Sequence, residues 1–262
     1  MKILLGSDPE VFMFKDGKAV SAHGMVKGDK KNPQPVRSGA VQVDGMALEF
    51  NTDPAATEEE FLFNVSDVLS QLKAMVPEYQ VVATPVAHFG AEYIAAQPEE
   101  AKILGCDPDF NAWTKQENNP PNAELPFRTG AGHLHLGWTK DAKPSDPQHV
   151  TMAQELVKQL DFFLGLPSLI FDSDKMRREM YGKAGAYRPK SYGVEYRTLS
   201  NKWLTNESIM KLVYRNAHAA VQSLLTGKAM HKEYGDIQSI INQSDVKKAK
   251  AIMKKEQICY EV

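Results

Sequence analysis

The 262-residue sequence has little cysteine, no long apolar run and no excess of positive charge. Its two cysteines, Cys106 and Cys259, lie far apart and lack the spacing of a thiolate metal site or a disulfide framework. No stretch approaches the length of a membrane span, and the apolar run at the N-terminus is too short for a signal peptide. We therefore expect a protein of the reducing cytoplasm that has no membrane partner.

The formal net charge of -2 gives no support for nucleic-acid binding, which depends on clustered lysine and arginine. Three signatures are also missing from the sequence: the Gly-x-x-x-x-Gly-Lys-Ser/Thr loop, the dinucleotide fingerprint and the Gly-x-Ser-x-Gly elbow. Their absence argues against P-loop, Rossmann-type and α/β-hydrolase enzymes. With 42% hydrophobic and 24% charged residues, the composition is that of an ordinary globular protein.

Alternating polar and apolar residues, separated by Asp-Gly turns, predict strands in the first half of the chain. The pattern indicates two hairpins and one further strand: residues 2–14 and 18–23 around Lys15-Asp16-Gly17, residues 40–43 and 46–51 around Asp44-Gly45, and residues 80–88. The segments 24–39, 105–128 and 174–192 are rich in proline, glycine, asparagine or basic residues, and we expect them to be irregular.

Apolar residues at helical spacing predict two long helices, one from Thr57 to about Val76 and one from Pro147 to Leu164. Three further helices are predicted near the C-terminus, over about 206–226, 234–242 and 244–256. Early strands with interspersed helices indicate an α+β fold. We expect a single domain over residues 1–262, in which helices cover one face of an antiparallel sheet and a helical tail begins at about residue 206.

Four short segments carry polar side chains that suit divalent metal ions or phosphate groups on otherwise apolar stretches. Residues i and i+2 of a strand point to the same face, so each segment is expected to aim these side chains into one cavity. Carboxylates and imidazoles bind divalent metal ions, and a guanidinium binds phosphate. The candidate residues are Asp8 and Glu10, Glu49 of Ala47-Leu48-Glu49, His133 and His135, and Glu195 and Arg197.

Each candidate also has a plainer interpretation. The carboxylates of the two N-terminal segments can be solvent-facing residues of half-exposed strands, and the Asp-Gly turn by itself explains Asp44. The histidine pair can be one satisfied core histidine and one exposed histidine. The Glu195–Arg197 pair can be an internal ion pair.

A basic, glycine-containing stretch precedes the Glu195 strand. Intermixed Gly182 and Gly185 make a mobile loop that contacts phosphate plausible, whereas a run of charge is more usually a solvated face. Lys27, Lys30 and Lys31 form a similar but less specific loop. The cations of the main stretch are Arg177, Arg178, Lys183, Arg188 and Lys190.

Taken in order, these segments resemble the glutamine synthetase and glutamate–cysteine ligase superfamily. The stretch Leu5-Gly6-Ser7-Asp8-Pro9-Glu10-Val11-Phe12-Met13-Phe14 is similar to its first metal strand, and Glu49 falls where a later hairpin supplies another metal carboxylate. Gly130-Ala131-Gly132-His133-Leu134-His135 resembles the glycine-led His-x-His strand. Gly193-Val194-Glu195-Tyr196-Arg197 resembles the terminal Glu-x-Arg strand.

A closer resemblance is to the phage-encoded carboxylate–amine ligases of this superfamily, and it covers roughly residues 3–205. Four motifs in the same order carry it: Val43-Asp44-Gly45-Met46, Gly105-Cys106-Asp107-Pro108-Asp109, Tyr181-Gly182-Lys183-Ala184-Gly185 and Gly193-Val194-Glu195-Tyr196-Arg197.

The chain also departs from glutamine synthetase itself. Asp8 stands where a glutamate is usual, and the spacing from glycine to histidine is one residue shorter. The first metal strand lies at the very start of the sequence, so we expect the small N-terminal domain of true glutamine synthetases to be missing. Glutamine synthesis is therefore not the expected activity, whereas we still expect the ATP and metal chemistry.

The resemblance implies an ATP-dependent carboxylate–amine ligase, or amidoligase, that forms an amide or peptide bond through an acyl phosphate. It implies a curved, mostly antiparallel sheet of glutamine-synthetase catalytic type with helices on its convex face. Arg197 would stabilise the transferred phosphoryl group beside Glu195. Two or three Mg²⁺ or Mn²⁺ ions would be held by Asp8, Glu10, Glu49, His133 and Glu195. The candidates for contacts with the nucleotide or a carboxylate are His135, Arg188, Lys190, Arg178 and Lys183.

Two other functions stay open at this point. A non-catalytic phage binding or structural protein on the same scaffold predicts broken metal ligands. A metal-dependent hydrolase that uses His133 and His135 for zinc needs neither ATP nor Arg197. For the ligase we expect small-molecule, peptide or protein carboxylate and amine substrates, a monomer or dimer, and a location in the host cytoplasm if a phage encodes it. The general base that deprotonates the amine is not visible in the sequence.

Overall fold

The computed structural model describes residues 3–104, 108–120, 122 and 124–260. Within these residues the protein is a mixed α+β structure, and each strand pairing is antiparallel. This confirms the α+β class and the antiparallel pairing. The segment Gly105-Cys106-Asp107 of the second ligase motif lies outside the described residues. None of the described helices is both long and apolar enough to span a lipid bilayer.

The strands of the described chain are short, and many have one apolar face. They are β1 (Leu4–Ser7), β2 (Glu10–Lys15), β3 (Lys18–Val20), β4 (Gln34–Val36), β5 (Gly39–Asp44), β6 (Ala47–Thr52), β7 (Gln80–Val82), β8 (Val86–His88), β9 (Phe110–Asn111), β10 (Phe127–Thr129), β11 (Leu134–Gly137), β12 (Ala186–Lys190) and β13 (Gly193–Tyr196).

The helices include three long ones that cover the sheets. They are α1 (Glu58–Met75), α2 (Ala91–Ala95), α3 (Glu99–Lys102), α4 (Pro147–Leu160), α5 (Leu166–Phe171), α6 (Met176–Met180), α7 (Glu207–Leu225), α8 (Met230–Glu233), α9 (Ile237–Asn242) and α10 (Val246–Lys255). The predicted long helices, which correspond to α1, α4 and α7, are confirmed within a few residues. Their apolar spacing and their capping residues indicate the same helix bounds. Thr57, for example, caps α1 by accepting from the Glu60 N–H.

The strands form two larger sheets and one ribbon. The first sheet has the order β1-β11-β13-β12-β9, and the second has the order β3-β2-β6-β5-β4 with β7 also paired to β2. Strands β8 and β10 form the two-stranded ribbon. The resemblance implied a single curved sheet. In the structure these strands belong to separate sheets.

The division occurs at Asp8-Pro9, inside the strand predicted over residues 2–14. Proline has no N–H for a ladder, so the strand cannot continue regularly there. Instead the Pro9 carbonyl accepts from Phe50 at 3.2 Å, and the Glu10 N–H donates to the Ala131 carbonyl at 2.9 Å. We call residues 8–10 the crossing, because the chain passes from the first sheet to the second sheet through them.

Three other sequence predictions of local structure were wrong. The strand predicted over 80–88 is two strands, β7 and β8. The segments 24–39 and 174–192 were predicted to be irregular, yet they contain β4, β12 and α6. The prolines Pro35 and Pro189 made these two strands hard to predict, because proline has no N–H to donate to a neighbouring strand. Pro35 is tolerated because β4 is an edge strand, with a neighbour on one side only. Pro189 is tolerated because β9 pairs only with the start of β12.

Helices α1, α4 and α7 pack over one side of the sheets. Helix α1 lies on β5 and β6, α4 lies on β12 and β13, and α7 contacts both helices. Leu134 and Tyr196 point from β11 and β13 into this apolar layer. Because side chains alternate along a strand, their neighbours His135 and Glu195 point away from the helices. The polar side chains of the first sheet therefore share the face that the long helices leave uncovered.

Helix α4 continues into a π-helical turn, Asp161–Gly165, before α5 begins. The turn directs Asp161 against the back of the first sheet, where its carboxylate accepts from Tyr196 at 2.8 Å and from Trp113 Nε1 at 2.6 Å. Burial raises the pKa of Asp161 to about 7, despite these hydrogen bonds. Beyond the turn, Leu166 packs into a second apolar cluster with Ile241 of α9.

Gly130 and Gly132 allow the protein's own chain to approach closely. A Cβ on Gly132 would lie 2.3 Å from the Ser200 carbonyl oxygen, and one on Gly130 would lie 2.3 Å from Nδ2 of Asn201. The two glycines therefore allow residues 130–132 to pack directly against residues 200 and 201. Fully buried Asn201 donates through Nδ2 to the carbonyls of Glu10 and Thr84, at 2.8 and 2.9 Å.

Replacing Asn201 with alanine should destabilise the protein by about 2–4 kcal/mol, because two buried carbonyls lose their donor. Chemical denaturation measures the change. Asn206→Ala is the control, since it removes an exposed cap of α7 and should cost only about 1 kcal/mol. Equal losses in the two variants would show that Asn201 does not join the crossing to the rest of the fold.

Candidate active site

A cleft of about 670 Å³ opens on the face of the sheets that the long helices leave uncovered. The crossing supplies Asp8 and Glu10 to its lining, and strands of both sheets supply the remaining charged groups. The lining includes Glu49, His133, His135 and three cations, Arg188, Lys190 and Arg197.

A first group of possible metal ligands consists of Asp8, His133 and Glu195, whose ligand atoms lie within 4.8 Å of one another. Nδ1 of His133 lies 3.4 Å from a carboxylate oxygen of Asp8 and 3.4 Å from one of Glu195. Burial and the nearby Arg197 lower the pKa of His133 to about 4. The imidazole is therefore neutral near pH 7, which is the form that binds metal ions.

His135 stands beside this group without belonging to it. Its Nε2 lies 2.9 Å from Oδ1 of Asp8, and its Nδ1 contacts the Tyr192 hydroxyl. Burial works against the charged forms of both side chains, yet their attraction raises the pKa of His135, and the two imidazoles lower the pKa of Asp8 well below its usual range. His133 Nε2 is buried without a hydrogen bond among the described residues.

A second group consists of Glu10, Asp44 and Glu49, again with ligand atoms within 4.8 Å of one another. Glu10 and Glu49 are direct partners across β2 and β6, and Asp44 ends the neighbouring strand β5. Burial and the charge of Asp44 raise the pKa of Glu10 to about 7. Burial and the neighbouring carboxylates Asp8, Asp44 and Glu10 raise the pKa of Glu49 well above its usual value. Lys30 contacts this group, at 2.7 Å from Asp44.

Three cations converge on the fully buried carboxylate of Glu195. Arg188 Nη1 and Lys190 Nζ lie 3.2 and 2.9 Å from its Oε2, and Arg197 Nη1 contacts its Oε1. Arg197 also donates through Nε to Asp109 at 3.1 Å. The internal Glu–Arg ion pair that the sequence left open is therefore present, and it is part of a larger cationic cluster at the cleft.

Tyr181 lies between two guanidinium groups at the edge of the cleft. The centre of its ring lies 5.3 Å from Cζ of Arg197 and 5.6 Å from Cζ of Arg177. Arg177 is almost fully buried and donates to the carbonyls of Arg197 and Thr198, so it fixes the chain next to Arg197. Burial lowers the pKa of Arg177 to about 10, and the group stays charged near neutral pH.

The structure brings most of the predicted site residues together. Buried or half-buried positions in one cleft argue against the interpretation of the N-terminal carboxylates as solvent-facing strand residues. Arg178 and Lys183 are elsewhere: Arg178 contacts Asp172 and Ser244, and Lys183 is an exposed residue that does not line the cleft. The residues that converge are Asp8, Glu10, Glu49, His133, His135, Arg188, Lys190, Glu195 and Arg197.

Asp8 and Glu10 both line the cleft, as their spacing predicted, but they do not belong to one ligand group. The crossing is not a regular strand, so the side chains diverge, and each carboxylate joins a different group.

Sequence reasoning also assigned too little to four residues of the site: Asp44, Lys30, Asp109 and Tyr181. The Asp-Gly turn seemed to explain Asp44 fully, although the ligase motif Val43-Asp44-Gly45-Met46 contained it. The position of Lys30 in a loop gave no signal of its contact with the carboxylates.

The protein is thus an α+β protein whose cleft holds two groups of possible metal ligands beside the guanidinium of Arg197. The family model described as phage phiEco32-like COOH.NH2 ligase, type 2, matches residues 126–257, about half of the chain. The protein belongs to this family of carboxylate–amine ligases, which confirms the closer of the two resemblances. No curated protein matches the chain.

The matched region includes His133, Glu195 and Arg197, and it reaches beyond residue 205 into the C-terminal helices. The crossing and the hairpin with Asp44 and Glu49 precede it. The second group of possible ligands is thus defined by the geometry of the cleft rather than by the family match.

In the absence of metal, the contribution of Glu10 to the stability of the protein should fall as pH rises from about 4.5 to about 7, because folded Glu10 holds its proton up to about pH 7 and the unfolded chain does not. Glu49 acts in the same direction. Glu10→Gln can still accept from the Ala131 N–H, which Glu10 binds at 2.8 Å. This variant should be more stable than wild type at about pH 8, by about 1–3 kcal/mol.

Chemical denaturation across this pH range, in the presence of a chelator, measures the effect. Glu59→Gln, on the exposed face of α1, is the control and should follow the wild-type profile. A Glu10→Gln profile that runs parallel to wild type would show that buried negative charge does not limit the stability of the metal-free cleft.

Asp44→Asn should weaken Mn²⁺ binding by about tenfold or more, because the second group would lose one of its three carboxylates. Isothermal titration calorimetry measures the affinity. The chain offers a matched control in Asp16→Asn, which also changes an aspartate before a glycine in a hairpin turn but lies far out on the exposed turn. Indistinguishable affinities in the two variants would remove Asp44 from the site.

Proposed function

We propose that this protein is an ATP-dependent carboxylate–amine ligase that forms an amide or peptide bond through an acyl phosphate. The observation that carries the proposal is the pair of ligand groups on the two sides of the crossing, with Arg197 in contact with the Glu195 carboxylate of the first group. Membership of the ligase family supports the formation of the bond, and the cleft supports the use of a nucleotide to activate the carboxylate.

The residues of the cleft fit divalent cations. The second group has three carboxylates and one close lysine, and the raised pKa values of Glu10 and Glu49 show that their ionised forms need a further cation. The first group leaves the buried atom His133 Nε2 without a hydrogen bond among the described residues. Mg²⁺ prefers carboxylate oxygen, and Mn²⁺ accepts both carboxylate and imidazole. Bound there, such ions would neutralise phosphate oxygens and stabilise their developing charge.

The cations around Glu195 have a separate part in the proposed reaction. Arg197 is held on three sides, by Glu195, by Asp109 and by the ring of Tyr181, so its guanidinium is oriented before any substrate arrives. Donors that need no reorganisation stabilise a developing charge most effectively. Arg197 would therefore meet the phosphoryl group during its transfer to the carboxylate substrate.

Arg188 and Lys190 would assist at the same end of the cleft. Both project from β12 toward Glu195, and both line the cleft. Their charges would hold the anionic nucleotide and the carboxylate substrate near each other, where Coulomb repulsion between these two molecules would otherwise oppose the reaction. We keep small-molecule, peptide or protein carboxylates and amines as the proposed substrates.

The geometry favours the ligase over a zinc hydrolase built on the His-x-His pair. His133 belongs to a three-residue ligand group, whereas His135 is engaged by the Tyr192 hydroxyl and by Asp8. Phosphate transfer also gives a role to the cations Arg188, Lys190 and Arg197, which a hydrolase would not require.

A non-hydrolysable ATP analogue with Mn²⁺ should raise the melting temperature of the wild-type protein, since the ligand binds only the folded state. Glu10→Gln and Glu195→Gln should each lose most of this shift, because each removes a carboxylate from one ligand group. Glu59→Gln is the matched control and should keep it. The wild type should then release phosphate from ATP only when a carboxylate and an amine are both supplied, with hydroxylamine serving as a general amine.

The absence of any nucleotide shift in folded wild-type protein would overturn the proposal. Stabilisation by Zn²⁺ alone, lost in His133→Gln and unaffected by nucleotide, would favour the hydrolase. A nucleotide shift that survives in both carboxylate variants would place the nucleotide outside the cleft.

A further inference from the structure

Arg128 is a buried guanidinium that lines the cleft and has no acidic partner among the described residues. It belongs to β10, opposite Ala87 of β8, and only 6% of the residue is exposed. Burial lowers its pKa, and no nearby carboxylate offsets that cost within the described chain. The cations around Glu195 are all paired, so Arg128 differs from them in kind.

The unpaired atoms of Arg128 form one edge of its guanidinium. Nη1 donates to the backbone carbonyls of Leu125 and Phe127, at 3.0 and 2.9 Å. These bonds fix the plane of the group and its orientation. Nε and Nη2 remain buried without a hydrogen-bond partner. Two parallel N–H donors on one guanidinium edge match the two oxygens of a carboxylate.

The same chain uses this edge to bind carboxylates elsewhere. Arg215 donates to Glu58 through Nε and Nη2, at 2.6 and 2.8 Å. Arg37 binds Asp67 through the same two atoms. Both of those pairs involve an exposed arginine, where a lost partner costs little. At Arg128 the edge is buried, so an unmade pair there is costly and a ligand that completes it gains affinity.

Arg128 lines the same cleft as the proposed reaction centre and lies close in sequence to the backbone that binds Glu10. Ala131, whose N–H binds the Glu10 carboxylate, lies three positions further along the chain, so the two Cα atoms are at most about 11 Å apart. The wall beside it carries the apolar side chains of Leu125 and Phe127. An organic molecule with a carboxylate suits such a wall better than a polyphosphate does.

We propose that the Nε–Nη2 edge of Arg128 binds a second carboxylate of the carboxylate substrate, while the first carboxylate is presented at Arg197 for phosphorylation. This rests on the proposed ligase function, and it defines the substrate class as a dicarboxylate, either a free acid or an acidic end of a peptide. The two nitrogen atoms are covered in the structure, so the substrate must displace the groups that shield them.

The probes are the straight-chain dicarboxylates from succinate to pimelate, each compared with the monocarboxylate of equal length. Binding is measured by calorimetry in the presence of Mn²⁺ and the ATP analogue. For the best chain length, wild type should prefer the dicarboxylate by about tenfold or more, because a bidentate charged pair is added. Arg128→Gln should lose the preference, and Arg128→Lys should keep part of it through charge alone.

Arg37→Gln is the matched control, because it removes the same type of guanidinium edge from the exposed surface and should keep the wild-type preference. The nucleotide shift of each variant shows whether it is folded and whether the metal end of the cleft is intact. If the wild type shows no nucleotide shift, the proposed function itself is wrong. If Arg128→Gln keeps the wild-type nucleotide shift, any change in its dicarboxylate preference can be assigned to the binding of the second carboxylate.

Three results would overturn the inference while the ligase function stands. The first is a wild type that binds nucleotide but shows no preference for any dicarboxylate. The second is an equal preference in wild type and Arg128→Gln. The third is an Arg128→Gln variant that is folded but loses the nucleotide shift instead, which would assign the edge to a phosphate of the nucleotide.

Discussion

Buried negative charge is the constraint on which the cleft depends. Several carboxylates converge where the chain passes between two sheets, and they cannot all be ionised there without cations. The two sides meet this constraint differently. Around Glu195 the protein supplies its own guanidinium and ammonium groups, whereas around Glu49 it supplies little beyond Lys30 and retained protons. The first side is therefore nearly balanced in charge, and the second side has the greater need for an external cation.

The sequence predicted which side chains line the cleft better than it predicted how they are grouped. Polar residues two apart on apolar strands identified both histidines, Glu195 and Arg197, because strand alternation is local and the strands are regular there. The same rule placed Asp8 and Glu10 in the cleft but did not predict their separate ligand groups, since Pro9 ends the regular geometry between them. Arg128 gave no signal, because the absence of a partner is a property of the folded chain and cannot be read from spacing.

Long helices were predictable and short strands were not. Helices α1, α4 and α7 carry apolar residues at helical spacing over many turns, so the pattern outweighs any single exception. Strands such as β4 and β12 are short and contain proline, and their pairing is set by distant partners in the sequence. The division into separate sheets likewise depends on hydrogen bonds of the crossing to Phe50 and Ala131, which no local pattern records.

The π-helical turn at Asp161–Gly165 restricts how this segment can evolve. It holds one residue more than an α-helical turn, and that residue sets the phase between α4 and α5. Deleting any one residue would rotate all of α5 by about 100° relative to α4, turning Leu166 out of its contact with Ile241 or Asp161 away from Tyr196. A substitution within the turn acts at one position, whereas a change of length disturbs two cores together. The packing on both sides of the turn therefore constrains the length of this segment.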